Sequence, residues 1–442
     1  RKHTLSLILA ACFLISFVAV KEVGAADAFE KLFTAEERTK APTIEDLTNG
    51  KVKVGDLITK DNVDAVKEYL MESVYVCVKE DGMVLKMAEN PAPKALMPSY
   101  FWKATVRSLS EGKPVMDENG TIYMKDGSFW TGGLPYPHPT TGLEVMANVK
   151  YGRGTDDFWT PQFGMMYVNK DGVNYKTIGL SVIRIECTGR LKVPPLGTIP
   201  GLEGEQQRSM PVFHSPLTVK GLGSFSVRYY DEYKDPDTGF TYLPAFKRII
   251  RTSQTTYQDN MAGSDMTWGD PNGLREPFAY YDFKLLAKKP MLIPAFTGME
   301  PSDIPFCTPA GKVSPRLTFD HGKSFVRLNW AIVPANVVEC IPKIKHIYGK
   351  RVLCVLDPPY WAPAHTIMVS NLYDRQLKLW KMYLEMGGNL TSIDGEPFAL
   401  SSGFMAHNVQ TGHSTLNMFE EKVNTGKDAR RLTLQSLLEA GR

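Results

Sequence analysis

The sequence predicts a mainly β, α+β fold: a curved antiparallel sheet, open as a partial barrel, with a helical region added before it. Three observations predict it. From Phe158 onward the apolar period changes from helical to alternating; in residues 225–230, Phe225, Val227 and Tyr229 share one face and Ser226, Arg228 and Tyr230 the other. Segments 325–340, 345–357, 366–373 and 377–386 follow one another through short turns, Pro342-Lys343, Asp357-Pro358-Pro359 and Asp374-Arg375-Gln376. Links this short demand antiparallel neighbours, because a parallel pair needs a long crossover. Helical periodicity, by contrast, falls before residue 152 and in the tail 428–442.

A chain of 442 residues can bury a large core and allows two to three domains. With 51 basic against 48 acidic side chains it has no broad field for nucleic acid or an anionic membrane surface. Its beginning reads as an export leader. Arg1, Lys2 and His3 are basic, residues 5–20 are apolar, and Val23-Gly24-Ala25 is a small-residue cleavage site. Cleavage after Ala25 removes three cations and one carboxylate and takes the formal charge from +3 to +1. Leu9-Ala10-Ala11-Cys12 has the form of a lipoprotein site, but the apolar run continues past the cysteine, which favours ordinary cleavage. An uncleaved anchor is the alternative, although sixteen apolar residues fall short of a comfortable span. The expected organisation is a signal peptide over 1–25, a helical and loop region over 26–151, the sheet over 152–388 and a tail over 389–442.

Taken in order, residues 61–72 place Val63, Val66, Tyr69 and Leu70 at helical spacing, and residues 100–107 begin a second helix. Gly132-Gly133-Leu134-Pro135-Tyr136-Pro137-His138-Pro139 is too proline-rich for helix or central strand and reads as a rigid extended loop. A helix follows from Thr141 to Tyr151. Residues 163–168 and 175–187 flank the turn Asn169-Lys170-Asp171-Gly172 as a hairpin. A second hairpin pairs 217–233 with 240–252. Residues 281–286 and 291–296 form two strands split by Lys288-Lys289-Pro290.

The usual catalytic patterns are absent: no HExxH, no GxSxG, no P-loop and no GxGxxG at a strand-to-helix junction. His407 and His413 match no common metal spacing, so neither metal nor cofactor is expected. Cys77, Cys187, Cys307, Cys340 and Cys354 show no CxxC pairing, and one or two disulfides or a set of buried thiols fit equally. What the chain does carry is adaptable apolar surface, including 19 Met and 21 Phe. A curved sheet offers every second residue to its inner face, and the candidates there are Phe225, Val227, Tyr229, Tyr242, Phe246, Trp268, Trp330, Met368 and Trp380. Each taken singly is more often core. Arg248, Arg251 and Asp265 are the candidate polar rim, with ion pairing of Arg248 and Arg251 to Asp265 or Asp270 as the plainer account.

Tyr242-Leu243-Pro244, Lys247-Arg248, Arg251 and Gly263-Ser264-Asp265-Met266-Thr267 together resemble the signature of periplasmic proteins similar to the lipoprotein-sorting carrier LolA. Residues 281–286 and 372–380 agree with it. Gly133-Leu134-Pro135-Tyr136-Pro137, Gly142-Leu143 and Lys345-His346-Ile347-Tyr348 are closer to a longer, uncharacterised family of Gram-negative exported proteins in that superfamily. The resemblance implies an unclosed β-barrel with a helical lid around an apolar cavity. It further implies a lipid or other hydrophobic cargo moving toward the outer membrane, in company with an inner-membrane exporter of the resistance-nodulation-division type or an outer-membrane protein. The function expected is a periplasmic, non-enzymatic carrier. A docking module with a solid interior is the second reading, and an enzyme acting on envelope lipids or glycans the third. Oligomeric state is left open.

Overall fold

In a computed structural model the chain is described over residues 25–252, 257–295, 325–362, 366–401 and 403–441. The expected leader apart from Ala25, together with Cys12, Cys307 and Phe296, lies outside these residues. Helices α1 (Ala25–Leu32) and α2 (Ile44–Leu47), strand β1 (Leu57–Ile58), a 3₁₀ turn (Val63–Tyr69), α3 (Glu72–Glu80), β2 (Leu85–Met87) and α4 (Ser99–Glu111) come first. A small hairpin of β3 (Val115–Met116) and β4 (Ile122–Tyr123) precedes α5 (Gly142–Tyr151). Then follow β5 (Asp157–Val168), β6 (Asn174–Glu186), the short β7 (Thr188–Arg190) and β8 (Gly197–Thr198), β9 (Glu205–Ser215), β10 (Gly223–Tyr229), β11 (Thr238–Leu243) and β12 (Arg248–Thr252). After a largely irregular segment come β13 (Tyr281–Pro294), β14 (Leu328–Pro342), β15 (Lys350–Leu356), β16 (Ile367–Tyr373) and β17 (Leu379–Glu385). The chain ends with the hairpin β18 (Gly388–Ile393) and β19 (Glu396–Ser401), then β20 (Gly403–Asn408), β21 (His413–Phe419), β22 (Lys422–Val423) and α6 (Leu434–Ala440).

One large sheet organises the molecule. Its strands run β1-β2-β14-β15-β16-β17-β20-β21-β5-β6-β9-β10-β11-β12, with β13 on the other side of β14. All its pairings are antiparallel except β2 with β14. Among the described residues the sheet does not close; β12 ends it on one side and β13 on the other. The fold is therefore mainly β with an unclosed antiparallel sheet.

Local chemistry explains most of the elements. Thr141 caps α5 by accepting from the Glu144 amide while the Glu144 carboxylate accepts from the Thr141 amide, a reciprocal capping box. Asn169 Oδ1 accepts from the amides of Asp171 and Val173 and closes the β5–β6 turn. Four expectations change. The helix expected over 61–72 is a 3₁₀ turn at Val63–Tyr69, with Leu70 extended and α3 starting only at Glu72. The strand expected over 240–252 is broken into β11 and β12 by a 3₁₀ turn at Pro244–Phe246 with Lys247 at φ 50°, because proline has no amide for the ladder. The two strands expected around Lys288-Lys289-Pro290 are one strand, β13, shifted in register between Leu285 and Ala287. It is an edge strand, where proline is tolerated. The sheet also runs past residue 388: β20 and β21 link β17 to β5. Buried Ser414, Thr415 and Asn417 hide the alternation of that stretch from a reading of hydropathy.

The central strands bury both faces. On one, Met166, Met382, Leu384, Met405, Leu416 and Met418 pack in a single cluster with residues of α3, α4 and α5. Phe163, Met165, Tyr167, Tyr383 and Phe404 lie on the other, against Met261 and Met266 of the irregular segment. Farther along the first face, Phe225, Val227 and Tyr242 pack with Leu432 and Leu437 of the tail. Cys77, Cys187, Cys340 and Cys354 are free and buried, and burial raises each thiol's pKa, that of Cys187 and Cys354 to about 12. No helix among the described residues is long and apolar enough to cross a membrane.

The proline-rich loop docks on α4 through Gly133. Trp130 Nε1 donates to the Gly133 carbonyl at 3.0 Å, and the Leu134 amide donates to Thr105 Oγ1 at 2.9 Å. Gly133 has φ +78°, and a Cβ there would lie 2.5 Å from the Thr105 nitrogen. Both the left-handed backbone and the contact exclude a side chain. Gly133→Ala is expected to lower unfolding free energy by more than about 1 kcal/mol, read from the urea midpoint at unchanged slope.

Candidate functional site

Residues 257–277 lie across the second face and are pinned to it at three points. Asp265 Oδ2 is 2.5 Å from His413 Nδ1 and accepts from Thr415 Oγ1 at 2.8 Å. At the next point, Asp270 Oδ1 takes Arg351 Nη1 at 2.8 Å while its Oδ2 accepts from the Tyr348 hydroxyl at 2.9 Å. The third is Glu276, which takes Arg351 Nη2 at 2.5 Å and His346 Nε2 at 2.9 Å. His346 Nδ1 accepts from the Tyr348 amide at 3.0 Å, so the proton facing Glu276 sits on Nε2. Arg351 is wholly buried, as are Asp270 and Glu276 at 1 % exposure, and its guanidinium lies 4.7 Å from the Tyr348 ring centroid. The middle of this face is thereby filled by protein.

Over the last four strands the cover stops and a groove of ≈ 520 Å³ remains. Its floor is Pro211 and Phe213 of β9, Ser224 and Ser226 of β10 and Thr241 of β11; Trp268 stands in its wall. Tyr257, Asp237 and Arg228 form a hydrogen-bonded group at one end, with Arg228 Nη2 donating to Tyr257 Oη at 3.0 Å and Arg228 Nε to Asp237 at 3.2 Å. That volume is within the range of small-molecule sites, roughly 300–1,000 Å³.

The candidate residues do not converge on one cavity. Trp268 and Arg251 line the groove, Arg251 from an exposed position. Phe225 also lines the groove, but its side chain packs with Val227, Tyr242 and, at the margin, Tyr229 on the opposite face beneath the tail. Strand alternation puts Ser224, Ser226 and Arg228 toward the groove instead. Trp330 and Met368 are wholly buried in the cluster under the N-terminal helices, and Trp380 borders the cluster around Tyr348. Phe246 is 71 % exposed. Arg248 is exposed as well. Asp265 pairs with His413 and Asp270 with Arg351, replacing the pairing with Arg248 and Arg251 expected from proximity in sequence. Arg351 and Glu276 lie in no motif and carry no hydropathy signal, whereas His346 and Tyr348 stand in the Lys-His-Ile-Tyr block. Cys77, Asp81 and His407 offer ligand atoms within 4.8 Å of one another. His407 already uses both ring nitrogens, toward Ser414 at 2.8 Å and Asp81 at 3.1 Å.

An unclosed antiparallel sheet, one face plugged by its own chain and a groove left over its last strands, defines a mainly β protein with a lateral ligand-sized site. The chain belongs to the DUF1329 family, described as protein of unknown function, whose family model matches residues 57–437. No curated protein matches it. Among solved structures it is similar to a domain from Vibrio parahaemolyticus described as an outer membrane lipoprotein-sorting protein, at 18 % identity and TM-score 0.45 over 67 % of this chain and 98 % of that one. It is also similar to a DUF1329 family protein from Desulfovibrio piger, at 14 % and 0.42 over 64 % and 92 %. A LolA superfamily protein from Nitrosomonas europaea follows at 12 % and 0.39 over 67 % and 100 %.

The buried ionic group is the part of the site most sensitive to mutation and acid. Arg351→Met leaves Asp270 and Glu276 buried without their cation and is expected to cost about 3–5 kcal/mol, measured by urea unfolding. Burial pushes the Glu276 carboxyl up, but the His346 hydrogen bond and the Arg351 charge outweigh it and hold the pKa below the ordinary 4.5. Its stabilisation is therefore complete above that value and is lost as pH falls from there through the lowered one. In a thermal series below neutrality, Glu276→Gln is expected to flatten the acid limb.

Proposed function

We propose that this protein is a periplasmic, non-enzymatic binding protein that carries a lipid or other hydrophobic molecule. The groove of ≈ 520 Å³ over β9–β12 is the observation that supports it. Its floor mixes aromatic and small hydroxyl side chains, a surface that accepts an apolar chain without demanding one shape. Burying about 300 Å² of such a chain offers roughly 7 kcal/mol, from which the costs of association and ordering are subtracted. Trp268 in the wall and Arg251 at the rim keep their candidate roles as ligand contacts. The export leader read from residues 1–25 supports the periplasmic address. The family resemblance supports transfer between an inner-membrane exporter and the outer membrane.

A docking module is the second reading, favoured by one feature. β12 is an edge of the sheet, with Ile250 46 % exposed and Phe246 71 % exposed in the turn before it. Such an edge can take an added strand from a partner.

Native mass spectrometry with lipid extraction, on protein purified from a Gram-negative periplasm without detergent, separates the two. The carrier reading expects a defined co-purifying hydrophobe, quenching or enhancement of Trp268 fluorescence on rebinding, and loss of both in Ser226→Trp, whose side chain occupies the groove floor. A clean apo mass that envelope lipids leave unchanged sinks the carrier and favours docking at β12.

A further inference from the structure

Beside the groove, on the same face of the same strands, lies a second and smaller space, partly open. The next same-face residue along β10 after Ser224 and Ser226 is Arg228; along β9, after Pro211 and Ser209, it is Gln207. Each step is about 7 Å. Arg228 and Gln207 line a chamber with Arg184 of β6, Lys150 of α5, Arg153 just beyond that helix, and Arg275. Arg275 lines the groove too, so the two spaces share a wall. A water-sized sphere has ≈ 30 Å³ in which its centre can move there, room for one small oxyanion and too little for a sugar or a nucleotide.

Every charged side chain lining the chamber is a cation: Lys150, Arg153, Arg184, Arg228 and Arg275. Their carboxylates stand outside its lining. Glu232 is 3.2 Å from Lys150, Asp237 is 3.2 Å from Arg228, and Glu186 is shared by Arg184 at 3.6 Å and Arg153 at 3.8 Å. Glu421 also acts on Arg184. Among the described residues, five cations against these four carboxylates leave one positive charge over in a buried place. Arg184 is 8 % exposed and its guanidinium lies 4.8 Å from the Phe158 ring centroid. Its Nη2 is buried with no partner among the described residues, although a buried donor of this kind is costly to leave unpaired. Burial, with Arg153 beside it, pushes the Arg184 pKa down to about 10, and burial with Arg228 lowers that of Arg275. An anion in the chamber relieves all three conditions: the excess charge, the orphaned donor and the crowding of like charges.

We propose that this chamber binds a single oxyanion, a phosphate, sulfate or carboxylate, and that the oxyanion is the head of an amphiphile whose apolar chain occupies the groove. The link to an amphiphile rests on the carrier reading; the oxyanion site does not. It makes the cargo anionic.

Calorimetric titration of the full chain with laurate, lauryl alcohol and inorganic phosphate tests each part. Laurate is expected to bind roughly ten- to hundred-fold more tightly than the alcohol, the range of a charge-assisted contact. Arg184→Met should collapse that preference while leaving the affinity for the alcohol in place. Arg184→Lys, which keeps the charge and guards against a folding defect, should retain part of it. Equal affinity of the wild type for acid and alcohol overturns the oxyanion site and leaves the carrier standing. Binding of phosphate alone keeps the oxyanion site and overturns its link to the groove. No binding of any probe overturns both.

Discussion

The buried contact of Arg351 with Asp270 and Glu276 is the constraint from which the functional half of this molecule follows. Ions of this size lose several kcal/mol of hydration on burial, recovered only when every charge meets its counter-charge in good geometry. Arg351 projects from β15, whereas both carboxylates belong to the irregular segment. The segment has one low-energy seat on the sheet. His346 and Tyr348 complete the group by filling the remaining oxygens, and Asp265 fastens the other end of the segment to β21 through His413 and Thr415.

Seating the segment there divides one face of the sheet into unlike parts. Over β17, β20, β21 and β5 the side chains of Met261 and Met266 replace any ligand and make an ordinary core. Over β9–β12 the segment no longer reaches across, and the groove is what remains. Among the described residues no closed, dry cavity spans the whole inner face. Ligand-sized space survives at one end, beside β12, which has no outer partner among the described residues, and a cargo can enter there without opening the sheet.

The same division explains how apolar and cationic surfaces come to adjoin. β9 and β10 present small and apolar residues toward the groove and then, one same-face step later, Gln207 and Arg228. Arg184, two strands from β10 in the sheet, joins them because β6 pairs with β9 in register, Arg184 opposite Ser209. No stretch of the chain is basic enough to announce this group; Lys150, Arg153, Arg184, Arg228 and Arg275 are scattered over more than a hundred residues. The obvious basic cluster, Lys247-Arg248 and Arg251, is on the exposed edge.

Period and turn chemistry in the sequence sufficed for the fold class, for the capped start of α5 at Thr141, for the β5–β6 hairpin and for the meander β14–β17, because each depends on neighbours within a few residues. Gly133 and Asp265 stand in the blocks that carry the family resemblance. Period and turn chemistry could not say which face of β10 would meet a ligand. Alternation separates Phe225, Val227 and Tyr229 from Ser224, Ser226 and Arg228, yet the apolar set went to the tail helix and the polar set to the groove. That choice was made by Leu432 and Leu437, some two hundred residues away, which cover the apolar face. Nor could they pair Asp270 with Arg351 rather than with nearby Arg248. Local periodicity is written in the chain, whereas burial and counter-charge are supplied by partners distant in sequence; only the tertiary structure decided which surfaces were covered and which were left open to bind.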